Sequence, residues 1–322
     1  MYDLAATYWH EGKNPQAEAL LNETLEIERR VLGLEHRDTL DSMTVLAGVY
    51  DDEGKHAQAE TLNRQTMEIE ERVFGPEHPN TLVTENNLAV AYYEEGKHAQ
   101  AEALYSQILE IERRKLGPEH LSTLTAMNDL AVVYGEEGKY ALAEPLFSQS
   151  VKAAQRVLGP EHPYTLTFLS SFGFMYQKQG KYSVAQTYAT QALAGYRHAL
   201  GNKNPNTMLS AADLALAYVS QGKYTQSEPL AREAMEVDQK TQPDDWQRFR
   251  AESLLGASLS GEKKYARAES FLLEGYQGML ARKQRIGAPD RYHLDLARQW
   301  LVQLYKNWGK PDQAAAVAKE SD

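Results

Sequence analysis

The chain contains no cysteine. Disulfides, thiol catalysis, Cys-ligated zinc and iron–sulfur clusters are therefore excluded. It also lacks any apolar run near the roughly 18 residues that a membrane span requires. Residues Met1 to Lys13 have neither the basic start nor the apolar stretch of a secretory signal. A cysteine-free chain with no such signal suits a reducing compartment, so the expected location is the cytoplasm, with no membrane partner. Positive charge is scarce: 34 Lys and Arg stand against 45 Asp and Glu, a formal charge of −11. That balance argues against a surface built to neutralise phosphates, and nucleic acid is not an expected partner. No stretch alternates apolar and polar residues long enough to be a strand. What remains is 42% hydrophobic and 25% charged residues, enough apolar material for a folded rather than a disordered chain.

A length of 322 residues would ordinarily suggest two domains of roughly 150 residues each. A repeat displaces that expectation. Gly-Lys occurs at Gly12-Lys13, Gly54-Lys55, Gly96-Lys97, Gly138-Lys139, Gly180-Lys181 and Gly222-Lys223, always 42 residues apart. Gly33, Gly75, Gly117, Gly159 and Gly201 keep the same step, as do Tyr8, Tyr50, Tyr92, Tyr134, Tyr176 and Tyr218. Ala17, Ala59, Ala101, Ala143 and Ala185 form a further column, with Ser227 in its next slot. Several residue types holding one step define a repeat architecture.

Each unit reads as two helices. After Pro79, suited to a first helical turn, Leu82, Leu88, Ala89 and Tyr92 fall at helical spacing. Glu95-Gly96-Lys97 breaks that helix, the glycine taking the left-handed residue past its end. A second helix is predicted from about His98 to Leu116, with Ala101, Leu104, Ile108 and Ile111 as its stripe. Arg113, Arg114 and Lys115 complement the negative end of its dipole, and Gly117-Pro118 stops it. A pair this short cannot bury its apolar face alone, so successive pairs must stack. Eight units are read, about 1–36, 37–78, 79–120, 121–162, 163–204, 205–243, 244–288 and 289–322, forming one array over 1–322. Gln242-Pro243-Asp244-Asp245 replaces the usual linker and marks an expected hinge. The first and last units read as incomplete. The start at Met1 fits a chain cut from, or starting late in, a longer array, and the short last helix fits a natural cap.

The units resemble tetratricopeptide repeats (TPR). The family pattern of Leu-Gly-x-x-Tyr, then Gly, Tyr, Ala and an aromatic appears as Leu88-Ala89-x-x-Tyr92, Gly96, His98, Ala101 and Tyr105. In the fourth unit it is Leu130-Ala131-x-x-Tyr134, Gly138, Tyr140, Ala143 and Phe147. The family's tryptophan slot holds Met43, Glu85, Met127 and Leu169. The long period, the Gly-Pro-Glu-His-Pro linker (Gly75 to Pro79) and Asn86 to Ala89 resemble the 42-residue subclass of kinesin light chains. The resemblance implies an all-α fold, a right-handed superhelical α-solenoid of antiparallel helix pairs.

Catalytic readings find little support. His36, His78, His120 and His162 recur once per linker. Helix axes roughly 8–10 Å apart keep such residues from sharing a metal whose ligands lie at about 2 Å. The Gly-Lys turns have no G-x-x-x-x-G-K-[ST] string, and no nucleophile motif occurs. The expectation is a non-enzyme without cofactor or metal.

By resemblance, the first helix of each unit lines an inner groove. Its exposed slots fall ten, six, three and two residues before each turn glycine. The candidate peptide-binding residues are Trp9, Asp51, Asp52, Asn86, Val90, Tyr93, Glu94, Asn128, Val132, Glu136, Phe174 and Gln177. These slots vary while the packing columns repeat, which fits either ligand choice or drift. Asn86 and Asn128 can hydrogen-bond a peptide backbone. Asp51, Asp52, Glu94 and Glu136 make one stretch acidic, so the expected partner is a protein or peptide segment of basic or aromatic character. The basic carboxylate clamp of chaperone-binding TPR domains is absent. Two further readings are a regulatory or sensor segment of a larger bacterial signalling kinase or ATPase, and self-association through the array ends.

Overall fold

The computed structural model describes residues 1–319. Among the described residues there are sixteen α-helices, two short 3-10 turns and no strand. The first four pairs are α1 (Tyr2–His10) with α2 (Asn14–Val31), α3 (Arg37–Asp52) with α4 (His56–Val73), α5 (Pro79–Glu94) with α6 (His98–Leu116), and α7 (Leu121–Glu136) with α8 (Tyr140–Val157). Then follow α9 (Pro163–Lys178) with α10 (Tyr182–Leu200), α11 (Pro205–Ser220) with α12 (Tyr224–Thr241), α13 (Trp246–Gly261) with α14 (Tyr265–Ala281), and α15 (Tyr292–Asn307) with α16 (Pro311–Lys319). The predicted bounds of α6 match the structure. Close packing gathers the chain into two compact units. One is Met1–Val133 with Gly287–Pro289; the other is Tyr134–Ile286 with the residues from Asp290 onward.

The repeated residues each have a physical task. The turn glycines Gly12, Gly54, Gly96, Gly138, Gly180, Gly222 and Gly309 sit at φ of 70–77°, where a side chain is strained. In the seventh unit Lys263 takes that conformation at φ 62°. The lysine after the glycine lies over the tyrosine column: Lys55 over Tyr50 at 5.5 Å, Lys97 over Tyr92 at 5.7 Å and Lys181 over Tyr176 at 5.5 Å. It also reaches back to the preceding pair, Lys55 to Glu18 at 2.9 Å and Lys97 to Glu60. The Gly-Lys column is thus a packing and ion-pairing device.

The linkers are built equally regularly. Thr39, Thr81, Thr123, Thr165 and Thr207 donate Oγ1 to the carbonyls of Gly33, Gly75, Gly117, Gly159 and Gly201 at 2.8–3.0 Å. The linker histidines cap the next helix. Nδ1 of His36, His78, His120 and His162 accepts from the backbone N–H two residues later at 3.2–3.3 Å. Asn204 and Asp245 do the same with side-chain oxygens at 2.9 and 2.8 Å. An acceptor at this position satisfies one of the free donors of a helix start.

Small residues let the helices meet. Ala47, Ala89, Ala131 and Ala215 are 0% exposed, as are Ala17, Ala59, Ala101 and Ala143. Ser227, in the alanine slot, donates Oγ to the carbonyl of Ala215 at 3.0 Å, so its hydroxyl is buried at no loss of a partner. In the seventh pair a Cβ at Gly256 would lie 2.6 Å from Leu272 Cγ and 2.9 Å from its backbone nitrogen.

The expected hinge at Gln242–Asp245 is instead a braced turn. Asp245 caps α13. Arg248 donates to the Pro243 carbonyl at 2.9 Å. Asp244 receives Arg282 and, at 2.9 Å, Arg285, and these two arginines lower its carboxylate below its usual value. The missing Gly-Pro is replaced by hydrogen bonds rather than by slack.

Candidate functional site

Within each compact unit successive first helices touch: α1 with α3 and α3 with α5 in the first, α9 with α11, α11 with α13 and α13 with α15 in the second. Second helices leave open clefts between them. One cleft, of about 760 Å³, lies between α2 and α4 over Leu25, Leu46, Tyr50 and Leu62. Another, of about 450 Å³, lies between α8 and α10 over Val151, Leu169 and Phe172. The variable slots sit on the first-helix side.

In the first unit these slots are mostly half-buried. Trp9 leans across to α3, where its Nε1 donates to Asp52 Oδ2 at 2.6 Å. Its ring fills the space above Gly48, where a Cβ would come within 2.7 Å of it. Asp51 meets His56 Nδ1 at 3.1 Å. Burial raises both Asp51 and Asp52 above the ordinary aspartate range, and the bond to Asp51 raises His56. Tyr93 is tilted against His98, ring centroids 5.9 Å apart. Asn86, Val90, Glu94 and Val132 are half-buried. Asn128 differs from expectation. It is 4% exposed; its Nδ2 donates to Asp129 at 3.1 Å, while its Oδ1 is buried with no hydrogen-bond partner among the described residues.

In the second unit the same slots are drawn further into packing. Ala212, Leu216 and Val219, expected to be exposed, are 4%, 1% and 8% exposed. Gln177 donates to Ser220 Oγ at 2.8 Å. Glu136 is ion-paired with Lys178 at 2.5 Å. Phe174 lies against Tyr292, ring centroids 5.8 Å apart. The acidic stretch expected from sequence is therefore largely engaged: Asp51 by His56, Asp52 by Trp9 and Glu136 by Lys178.

Behind the face, several carboxylates are buried among helices. Burial pushes Glu85 and Glu112 up to about 7 and Asp129 up to about 6 in the first unit. In the second, burial pushes Asp238 up to about 6. These groups belong to the packing layer. Among the described residues no cluster of three His, Asp or Glu side chains gathers as a metal site, and no helix is long and apolar enough to cross a membrane.

The antiparallel pairs, the tyrosine–lysine turns and the face of touching first helices define a helical-repeat protein. Family models described as tetratricopeptide repeat match residues 1–72, 52–113, 80–154 and 122–198, and a further one matches 207–240. The chain belongs to the tetratricopeptide repeat family. No curated protein matches it in sequence. Among solved structures it is similar to the nearly identical TPR-like repeats of a kinesin light chain homologue from Podosopora anserina, at 29% identity and TM-score 0.52, covering 64% of this chain and 98% of that one. It is also similar to BtubC (BKLC) from P. vanneervenii, at 20% identity and TM-score 0.56, covering 70% and 91%. The apo form of the quorum sensor NprR from B. thuringiensis matches at 17% identity and TM-score 0.66, covering 99% and 85%. The first of these likenesses supports a kinesin light chain-like repeat; the other two share the fold.

Proposed function

We propose that the chain is a non-catalytic protein-interaction scaffold and that the first-helix face of its first unit binds a peptide segment of a partner protein. The observation that carries this reading is the contrast within each first helix. One side keeps the same packing residues at every 42-residue step, while the slots of Asn86, Val90 and Tyr93 hold Thr44, Gly48 and Asp51 in one repeat and Ser170, Phe174 and Gln177 in another, and Asn86, Val90, Tyr93 and Val132 stay half-buried rather than buried. An apolar floor flanked by an amide suits an extended peptide, with Val90 and Val132 taking a side chain and Asn86 holding backbone. Engagement of Asp51 and Asp52 by His56 and Trp9 shifts the preferred ligand toward aromatic and apolar side chains, with basic residues a weaker contribution. Such binding changes little with salt, because exposed charge supplies little of it.

Selection of a displayed peptide library on the intact chain tests the reading. Enriched peptides are expected to lose at least tenfold in affinity for the Val90→Glu, Val132→Glu chain. Peptides that bind both chains equally would remove the reading. A second reading, a sensor segment of a signalling protein, draws support from the quorum sensor NprR, which shares the fold over 99% of this chain. It predicts that the same peptides alter the activity of a covalently joined effector domain.

A further inference from the structure

Repeat arrays are held together by contacts between neighbouring pairs. The second unit has a contact that skips two pairs. Phe174, near the end of α9, meets Tyr292, the first residue of α15, across the positions of α11 and α13. Lys178 is shared between the rings, its Nζ 5.2 Å from the Phe174 centroid and 4.8 Å from that of Tyr292, while Glu136 holds its charge. The connection that delivers Tyr292 is longer than its equivalents. Ten residues, Arg282 to Arg291, separate α14 from α15, where five, Phe74 to His78, separate α4 from α5. Two 3-10 turns shape it, Asp244 anchors its start through Arg282 and Arg285, and Arg291 Nε donates back to the Ile286 carbonyl at 3.1 Å.

We propose that the Phe174–Lys178–Tyr292 cluster is a latch that clasps α9 to α15 and closes the first-helix face of the second unit, and that its release opens that face. Closure leaves polar groups poorly served. Arg250 is 3% exposed. It pairs with Asp213 at 2.5 Å, but its Nε and the Tyr292 hydroxyl are buried and have no hydrogen-bonding partner among the described residues. A clasp of two rings and one cation that also buries unserved donors is poised near balance. The inference rests on the scaffold reading only in naming what the opened face is for. Its test reads conformation and needs no partner.

The absence of cysteine makes the chain a clean background for paired spin labels. Labels at Thr167→Cys on α9 and Gln299→Cys on α15, both exposed positions, are expected to give one narrow distance distribution by pulsed electron resonance. Tyr292→Ala is expected to add a second, longer population of at least a third of molecules, and Lys178→Met a smaller one. If Tyr292→Ala loses helical circular dichroism, Lys178→Met alone decides. A distribution unchanged in the folded variants would overturn the latch.

Discussion

The first and second compact units share one 42-residue frame and use its variable face differently. In the first, Trp9, Asn86, Val90 and Val132 stay partly open. In the second, Ala212, Leu216 and Val219 are absorbed into packing, and Phe174 is covered by Tyr292. The frame therefore dictates helix pairs and their turns, while the side chains at a few slots decide whether the face stays available. Within the seventh pair Gly256 lets α13 and α14 pack closely, Leu272 lying where a Cβ would stand.

Changes that break this contrast can be ranked. The largest effect is expected at Gly256→Val, whose Cβ meets both the side chain and the backbone of Leu272. It should cost about 3 kcal/mol, read as a lowered unfolding midpoint, and Gly256→Ala should cost less. A midpoint unmoved by valine would show the pair to be looser than described.

The next effect belongs to the first unit and depends on pH. Glu85 and Glu112 are pushed up from 4.5 to about 7 by burial. The folded state therefore favours their protonated form. Their contribution to stability is complete below about pH 4.5 and is lost as pH rises through about 7. Replacing both with Gln should raise stability at pH 8 by at least about 1 kcal/mol each and leave it nearly unchanged well below pH 4.5. Equal effects at the two pH values would contradict the assignment.

A similar magnitude separates the caps. His78→Ala should lower stability by about 1 kcal/mol, whereas His78→Asn should hold it, because Asn204 already fills the equivalent position. The test is denaturant unfolding of the two variants side by side. The smallest change is a gain. Lys263 adopts φ 62° where the other turns have glycine, so Lys263→Gly should stabilise by up to about 1 kcal/mol. A loss on thermal unfolding would mean that Lys263 makes a contact of greater worth.

The helix pairs, their bounds and the family were legible because several residue columns repeat in register. The histidine caps were legible in principle: His36, His78, His120 and His162 continue as Asn204 and Asp245, all acceptors in one position. The bracing of Gln242–Asp245 was not, since it depends on Arg282 and Arg285 from the following linker. The pairing of Trp9 with Asp52 escaped the pattern because each residue is unique to its own slot. Tyr292 lies in an irregular connection that no period describes.

The proposed docking surface is the first-helix face of the first unit. A photo-crosslinking residue placed at position 90 on that face, or at position 61 in the cleft between second helices, tests it directly with a library-selected peptide. Crosslinks are expected from position 90 and none from position 61. Crosslinks from position 61 alone would place the partner on the opposite side and contradict it.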